Sequence, residues 1–437
     1  MDFAAPPGAY RRMAKARKTV SEAPERCDVI IAGAGMAGAT LALALKQAGL
    51  EPVLIDPVPF TTQLAPEFDG RASAIAFSCF RQWRTLGVAG ALEPDAQRIE
   101  QILVTDGRLP GAAPGLKTGA FLRFDSAEIA DRVAGEPLGY MLENRHTRAA
   151  LARAVEAASI PVLAPARVAG VEVTAEAACA RLEDGRVLAA PLIVGADGRG
   201  SLVRRAAGIG TIGWPYREVG VVATVQLERP HQGVAHEHFL PSGPFAILPL
   251  TGDRASLVWT EKAARGAALK AAGEDAFHAH LQRRFGEFVG RVRVTGPRFV
   301  YPLSLELAER MTAPRIALLG DAAHGVHPIA GQGLNLGLKG CAALAEVLVE
   351  AGRLGEDIGA EAVLERYARW RRLDNVGLAL ATDVFNRLFT NDVTPLRIVR
   401  DAGLALVNHI GPARRFFMQE AGGATGDLPR LLRGESL

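Results

Sequence analysis

The sequence predicts an α/β fold: a Rossmann-like nucleotide-binding domain, an antiparallel-sheet domain inserted into it, and C-terminal helices. Three observations carry this. DVIIAGAGMAGATLALALKQAGLEPVLID (28–56) has the layout of a β-α-β unit with glycines at its first turn. Two later apolar runs, LIVGAD (192–197) and RIALLGD (315–321), each stop at an aspartate. Between those two runs, residues 211–300 become short strand-like segments cut by Pro and Gly.

Residues 1–25 hold Arg11, Arg12, Lys15, Arg17 and Lys18 among Ala and Pro, without an apolar stretch. They predict a disordered basic tail, not a secretory signal. Residues 26–210 form the first part of the nucleotide-binding domain, with an excursion into the other domain near 100–135. Val29, Ile30 and Ile31 make an all-apolar strand of the kind covered on both faces. A helix from Met36 to Ala48 ends at Gly49, a C′ position, and Val53, Leu54 and Ile55 begin the next strand. VGVVATVQLE, HEHFLP, FAILPL and RASLVWT predict an antiparallel sheet over 211–300. The chain then returns to the first domain over 301–390 and ends in a helical region, 391–437.

The bulk numbers narrow the function. The chain has 437 residues, 49% hydrophobic and 22% charged, with a net charge of +3. That charge is too small to predict nucleic-acid binding, and no basic stripe with interleaved aromatics occurs. Cys27, Cys79, Cys179 and Cys341 stand apart without a CxxC pair. They predict reduced core thiols in a cytoplasmic setting, with no disulfide framework and no metal site. The longest uncharged stretch, Val29 to Leu45, contains Gly33, Gly35 and Gly38 and is a strand-turn-helix, not a membrane span.

Gly33-Ala34-Gly35-Met36-Ala37-Gly38 lies between a strand and a helix, where a dinucleotide fingerprint belongs. The first glycine permits the tight turn, the second lets backbone approach a pyrophosphate, and the third allows close helix–strand packing. Asp56 ends the second strand, where a carboxylate binds ribose hydroxyls. This fingerprint alone fits FAD and NAD equally. GADGRGSLVRR (195–205) then places Asp197, Gly198, Ser201 and Arg204 after a strand. GDAAHGVHPIAGQGLNLG (320–337) places Gly320 and Asp321 before a glycine-rich loop.

With these three motifs in this order, the sequence resembles the flavoprotein aromatic hydroxylases that share the para-hydroxybenzoate hydroxylase fold. The resemblance spans about residues 27–430. It implies FAD as cofactor, with Asp321 bonding its ribityl or ribose part and Asp197 and Arg204 in a stretch that serves FAD and NAD(P)H. Pro328, Gly331, Gln332, Gly333, Leu334 and Asn335 are implied to press their backbone against the isoalloxazine ring. Glycines allow that approach, and a helix N-terminus there favours an anionic reduced flavin.

A narrower resemblance, to the ubiquinone-biosynthesis hydroxylases, rests on DGRASAIAFSCFRQWRTLGV (69–88), GYMLENRHTRAAL (139–151), GPFAILPL (243–250), HPIAGQGLNLGLKGCAALAEVL (327–348) and RWRRLDNVGLALATDVFNRLF (369–389). It implies that Arg71 and Asn144 lie near the flavin. The chain departs from that family at Gly340, where an acidic residue is usual. A glycine there is expected to weaken the helix.

The implied activity is hydroxylation of the aromatic ring of a polyprenylated phenol in ubiquinone biosynthesis, using O2 and NADH or NADPH through a flavin hydroperoxide. No Ser-His-Asp triad or carboxylate pair is needed, because the cofactor carries the difficult step. No second GxGxxG is present, so the nicotinamide is expected to bind transiently. His238, Phe245 and Trp259, with His236, Phe239 and Pro241, are candidate substrate contacts in the second domain. The alternative for each is ordinary strand packing. His236-Glu237-His238 lacks a third metal ligand. For His324 and His327, on the flavin loop, a core or backbone-bonding role is expected before proton transfer. The stretch 396–419, with Arg397, Arg400, Arg414, Arg415, Phe416 and Phe417, fits either an interfacial helix at a membrane or a helix docked on protein, including a ubiquinone-biosynthesis complex. The competing readings are a hydroxylase of a small soluble aromatic, a halogenase or prenyl reductase, and a non-catalytic flavoprotein scaffold. Trp83, Trp214, Trp259 and Trp370 stand singly, which disfavours the halogenase, whose signature is WxWxIP.

Overall fold

The computed structural model describes residues 27–65, 69–106, 121–131, 133–240, 243–285, 289–325, 332–372 and 410–437. The basic tail, Pro241, His327, Pro328, Gly331 and the stretch 373–409 lie outside the described residues, as does the Gln332 side chain.

The nucleotide-binding layer is a six-stranded sheet. Its spatial order is Thr312–Ala313, Ile316–Leu318, Leu192–Gly195, Val29–Ala32, Pro52–Ile55, Val162–Leu163. All neighbours are parallel except the Thr312–Ala313 edge. Alternation on the central strand divides the core. Val29 and Ile31 face the helices Met36–Gln47 and Gln332–Arg353, packing in one cluster with Leu41, Leu45, Leu338 and Leu344. Ile30 and Ala32 face a three-stranded antiparallel sheet through Ala180, Leu182 and Leu188. Gly49, past the end of the first helix, takes a φ of +92°, the left-handed cap that a glycine there predicts.

The second layer is a nine-stranded sheet. Thr211–Leu227, Arg254–Lys262, Gly243–Leu250 and Val234–Leu240 follow one another antiparallel. Phe299–Ala308 pairs with Thr211–Leu227, so the sheet continues beyond the boundary expected at 300. Gln101–Asp106 adds in parallel to Val234–Leu240 and carries Phe121–Asp125 beside it.

Strand alternation gives this sheet two different faces. One is covered by the helices Ala263–Ala271 and Glu274–Phe285, with Val221, Phe245, Leu257, Trp259, Phe277 and Leu281 in one core. The other turns to the nucleotide-binding layer, where Ile102, Phe124 and Leu248 pack on the first core cluster beside Ala235 and Leu250. A small antiparallel sheet of Ala72–Ala76, Gly139–Glu143 and Gln97–Ile99 joins the two layers.

Candidate functional site

The three motifs converge at one end of the parallel sheet. Gly33 turns at a φ of +110°, and a Cβ there would lie 2.2 Å from the Ala196 carbonyl oxygen. At Gly38 a Cβ would lie 2.0 Å from the Gly33 carbonyl oxygen, so helix and turn touch. Gly35 differs: a Cβ there would meet nothing within 4 Å. It is the N-cap of the helix Met36–Gln47 and makes no side-chain cap bond. The N–H groups of Met36, Ala37 and Gly38 therefore point, without intrahelical acceptors, toward open space.

Asp56 locks this turn. It accepts from Ala34 N at 2.7 Å and from Val58 N at 2.7 Å. Burial raises its pKa, and these backbone bonds oppose the rise.

Asp197 Oδ2 accepts from Leu202 N at 2.7 Å, while its Oδ1 is buried with no hydrogen-bond partner. Arg204 is buried and structural. Its guanidinium donates to Ala322 O (2.9 Å), Arg199 O (2.7 Å) and Glu306 Oε1 (2.6 Å), tying the second motif to the third. Gly320 takes a φ of +58°, and a Cβ there would sit 3.4 Å from the Ala37 Cβ. The Gly320–Ala322 turn thus abuts the first glycine loop. Asp321 is half exposed, with its Oδ2 3.6 Å from Arg199 Nε.

The first turn of Gln332–Arg353 closes the site. Gly337 packs against Gly320, where an added Cβ would lie 3.4 Å from the Gly320 Cα. Gly333 and Leu334 stand in that turn, half-buried. Asn335 is buried, donating Nδ2 to Ala74 O at 2.8 Å and accepting from Ala76 N at 2.9 Å. Its side chain splices the helix to the joining sheet. Cys341 Sγ donates to Ala37 O at 3.1 Å, and Cys79 Sγ to Asn335 O at 3.8 Å. At Gly340 a Cβ would lie 2.9 Å from Leu319 Cδ1 and 3.4 Å from Tyr367 Oη. The departure from an acidic residue therefore has a packing reason: a buried position beneath the strand that leads to Asp321.

Arg71 and Asn144 meet through a residue that the sequence reading passed over. Asp69 is buried and accepts from Arg71 Nε (2.8 Å), Asn144 Nδ2 (3.0 Å) and Arg148 Nη2 (2.5 Å). Tyr301 Oη donates to it at 3.5 Å, and the Arg71 guanidinium stands 5.0 Å from the Tyr301 ring centroid. Burial would raise the Asp69 pKa, but the bonds from Arg71, Arg148 and Asn144 hold it well below the usual carboxylate range. Asp321 is among the charges that act on Arg71. The one local signal was Asp69-Gly70-Arg71, a turn in which Asp69 Oδ1 accepts from Arg71 N at 3.0 Å.

The substrate candidates go elsewhere. His238 pairs across strands with Phe245, and Phe245 with Trp259, which puts all three on the helix-covered face. Phe245 and Trp259 are 0% and 1% exposed, inside that core. His238 Nδ1 bonds Thr105 Oγ1 at 2.5 Å. These three behave as strand packing, since bulky aromatic side chains suit the face with the deeper core. His324 is buried with Nδ1 unpartnered. Among the described residues, no group of three or more His, Cys, Asp or Glu could hold a metal ion.

The residues present fit a dinucleotide cofactor: open space before an uncapped helix N-terminus, an orphaned Asp197 oxygen and an exposed Asp321. The chain matches the FAD binding domain family over residues 26–375. It is 45% identical over 414 residues to the ubiquinone hydroxylase UbiL of Rhodospirillum rubrum, covering 94% of this chain and 93% of that protein. It is 34% identical to the 3-demethoxyubiquinol 3-hydroxylase of Escherichia coli, covering 89% of this chain and 96% of that protein. The p-nitrophenol 4-monooxygenase PnpA of Pseudomonas putida shares the fold, with a TM-score of 0.74 at 19% identity over 92% of this chain and 98% of that chain. Geometry and similarity together place this chain in the FAD binding domain family, as an FAD-dependent monooxygenase related to the ubiquinone-biosynthesis hydroxylases.

Proposed function

We propose that this protein hydroxylates the ring of a polyprenylated phenol in ubiquinone biosynthesis, with NADH or NADPH as a transient electron donor. The observation that carries this reading is the similarity to the R. rubrum ubiquinone hydroxylase, which runs through 94% of the chain and so includes the sheet layer as well as the nucleotide loop.

FAD, when bound and reduced, supplies the oxygen-activating chemistry. The chain does the rest. The N–H groups of Met36, Ala37 and Gly38 take the pyrophosphate, with Asp56 holding the turn rigid. Asp321 would accept from a ribityl or ribose hydroxyl. Asp197 Oδ1 is a second acceptor, and Arg204 fixes both motifs in place. The turn at Gly333 and Leu334, the positive end of a long helix, would favour negative charge on the reduced ring. Arg71 and Asn144, held by Asp69, would be further contacts to the flavin. Packing of the sheet layer over this junction keeps water from the reacting ring.

A prenylated substrate resides in a bilayer, and the helix Gly411–Ala421 exposes Phe416 (54%) and Phe417 (41%) beside Arg415. That patch supports peripheral membrane contact. No helix of the described residues is long and apolar enough to cross a membrane.

The deciding experiment reduces the FAD-loaded protein anaerobically with NADH or NADPH, then admits O2 with a short-prenyl phenol and weighs the product. A phenol heavier by one oxygen is the expected result. Consumption of the nicotinamide with the phenol untouched overturns the substrate, and no reduction by either nicotinamide overturns the donor.

A further inference from the structure

Glu237 takes no part in the cofactor site. Its strand, Val234–Leu240, sends His236, His238 and Leu240 to the helix-covered core, and Ala235, Glu237 and Phe239 to the face that turns toward the nucleotide-binding layer. The cross-strand neighbours of Glu237 are Val104 and Ala246, and beyond Ala246 come Val258 and Val222. Every one is apolar. Within this wall Glu237 Oε1 is sealed from solvent and has no hydrogen-bond partner. The same face carries Tyr301, whose hydroxyl reaches the Asp69 cluster with Arg71.

Glu237 is half-buried, and a carboxyl with one oxygen sealed and unpartnered opposes folding. An alanine or leucine would suit the apolar wall better, so the group is explained by something outside the protein that it meets. We propose that Glu237 is the substrate-positioning residue, its carboxyl hydrogen-bonding the hydroxyl of the phenol ring on the sheet face above the flavin site. This inference rests on the phenol-hydroxylase reading. Burial pushes the Glu237 pKa up to about 8, so both protonation states are accessible near neutral pH. The acid donates to the phenol oxygen, and the carboxylate accepts the phenol proton. A ring lacking the hydroxyl leaves the carboxyl unpaired in either state, which is how a site built for a hydroxyl rejects its deoxy analogue.

The test uses the FAD-loaded wild type, Glu237→Leu and Glu237→Gln. Binding of a short-prenyl phenol, and of the same prenylated ring without its hydroxyl, is followed by the change in flavin absorbance without nicotinamide. The wild type is expected to prefer the phenol by about tenfold or more. Glu237→Leu should bind both rings alike, with full FAD content and a melting temperature no lower than wild type. Glu237→Gln, which can still donate and accept, should keep part of the preference, and it carries the test if the leucine variant fails to fold. Wild-type discrimination persisting in Glu237→Leu, or in Glu237→Gln undiminished, overturns the assignment and leaves the phenol reading intact. Wild type that binds both rings equally also overturns it. Wild type that binds neither ring overturns both the assignment and the phenol reading.

Discussion

Arg148 Nη2 lies 2.5 Å from Asp69 Oδ2, an ion pair whose side chains are 9% and 3% exposed. Arg71 completes the clamp from the other side through Asp69 Oδ1. Removing the carboxylate takes the 2.5 Å partner from the buried Arg148 charge, so Asp69→Ala should cost about 3–5 kcal/mol of stability. Urea unfolding measures this. A loss within experimental error would mean that the clamp is incidental. Because the Asp69 pKa is depressed in the fold, its contribution is complete above the ordinary value of 3.8 and drains as pH falls below it.

The two ends of the glycine loop should respond differently. Gly38→Ala drives a methyl into the Gly33 carbonyl, so it should lower both stability and FAD affinity. Gly35→Ala meets no protein atom, so the apoprotein should melt as wild type while FAD binds about a hundredfold more weakly, because the methyl takes phosphate space. Fluorescence titration with FAD, beside melting of the apoproteins, separates the cases. Equal FAD affinity in wild type and Gly35→Ala would show that the phosphates lie elsewhere.

Arg204→Lys tests whether the second and third motifs are one unit. A lysine ammonium lacks the planar fork that reaches Ala322 O, Arg199 O and Glu306 together. The Asp321 turn should loosen, with FAD binding weaker by about tenfold. Unchanged affinity would assign Arg204 to stability alone.

Two buried histidines set an acid limit. Burial lowers the His236 pKa to about 3 and the His324 pKa to about 4, against an ordinary value of 6.5. Both are neutral in the fold, while the unfolded chain takes up protons below about pH 6.5. Stability is therefore complete above that pH and falls beneath it, by up to about 1.4 kcal/mol per pH unit for each histidine. Urea midpoints compared at about pH 7.5 and about pH 5 should show the fall, and His324→Gln should flatten it. Parallel profiles for variant and wild type would exclude His324 as a source.

Flotation with liposomes tests the Phe416–Phe417 patch. Each exposed ring buried in lipid is worth about 1.5–3 kcal/mol, so Phe416→Ser with Phe417→Ser should cut partitioning by about a hundredfold or more. Arg414 is held by Glu128 at 2.7 Å, which leaves the aromatic pair as the main anchor. Equal flotation of variant and wild type would exclude it.

What the sequence made legible is what adjacency in sequence encodes. Strand, glycine turn and helix follow one another between Val29 and Gln47, so local pattern reveals them. The strands leading to Asp56, Asp197 and Asp321 lie beside the first strand or one place beyond it, and their parallel run brings the three motifs to one edge. Asp69 carries only the local Asp69-Gly70-Arg71 turn as a signal, because its other partners, at positions 144, 148 and 301, are brought to it only by the fold. The face of the sheet was also hidden. His238, Phe245 and Trp259 drew attention by their rings, yet large rings go to the thicker core. Glu237, the residue between the two histidines, is on the face turned to the other layer.

Cys341 and Cys79 donate their S–H groups to Ala37 O, in the first glycine loop, and to Asn335 O, in the first turn of the helix Gln332–Arg353. Burial pushes the Cys79 thiol up to about 11 and the Cys341 thiol higher still. Peroxide attacks thiolates, not thiols. A reduced flavin that meets O2 without a substrate releases peroxide at its own doorstep. Sealed in their protonated form, these sulfurs are poor targets for the by-product of idle turnover.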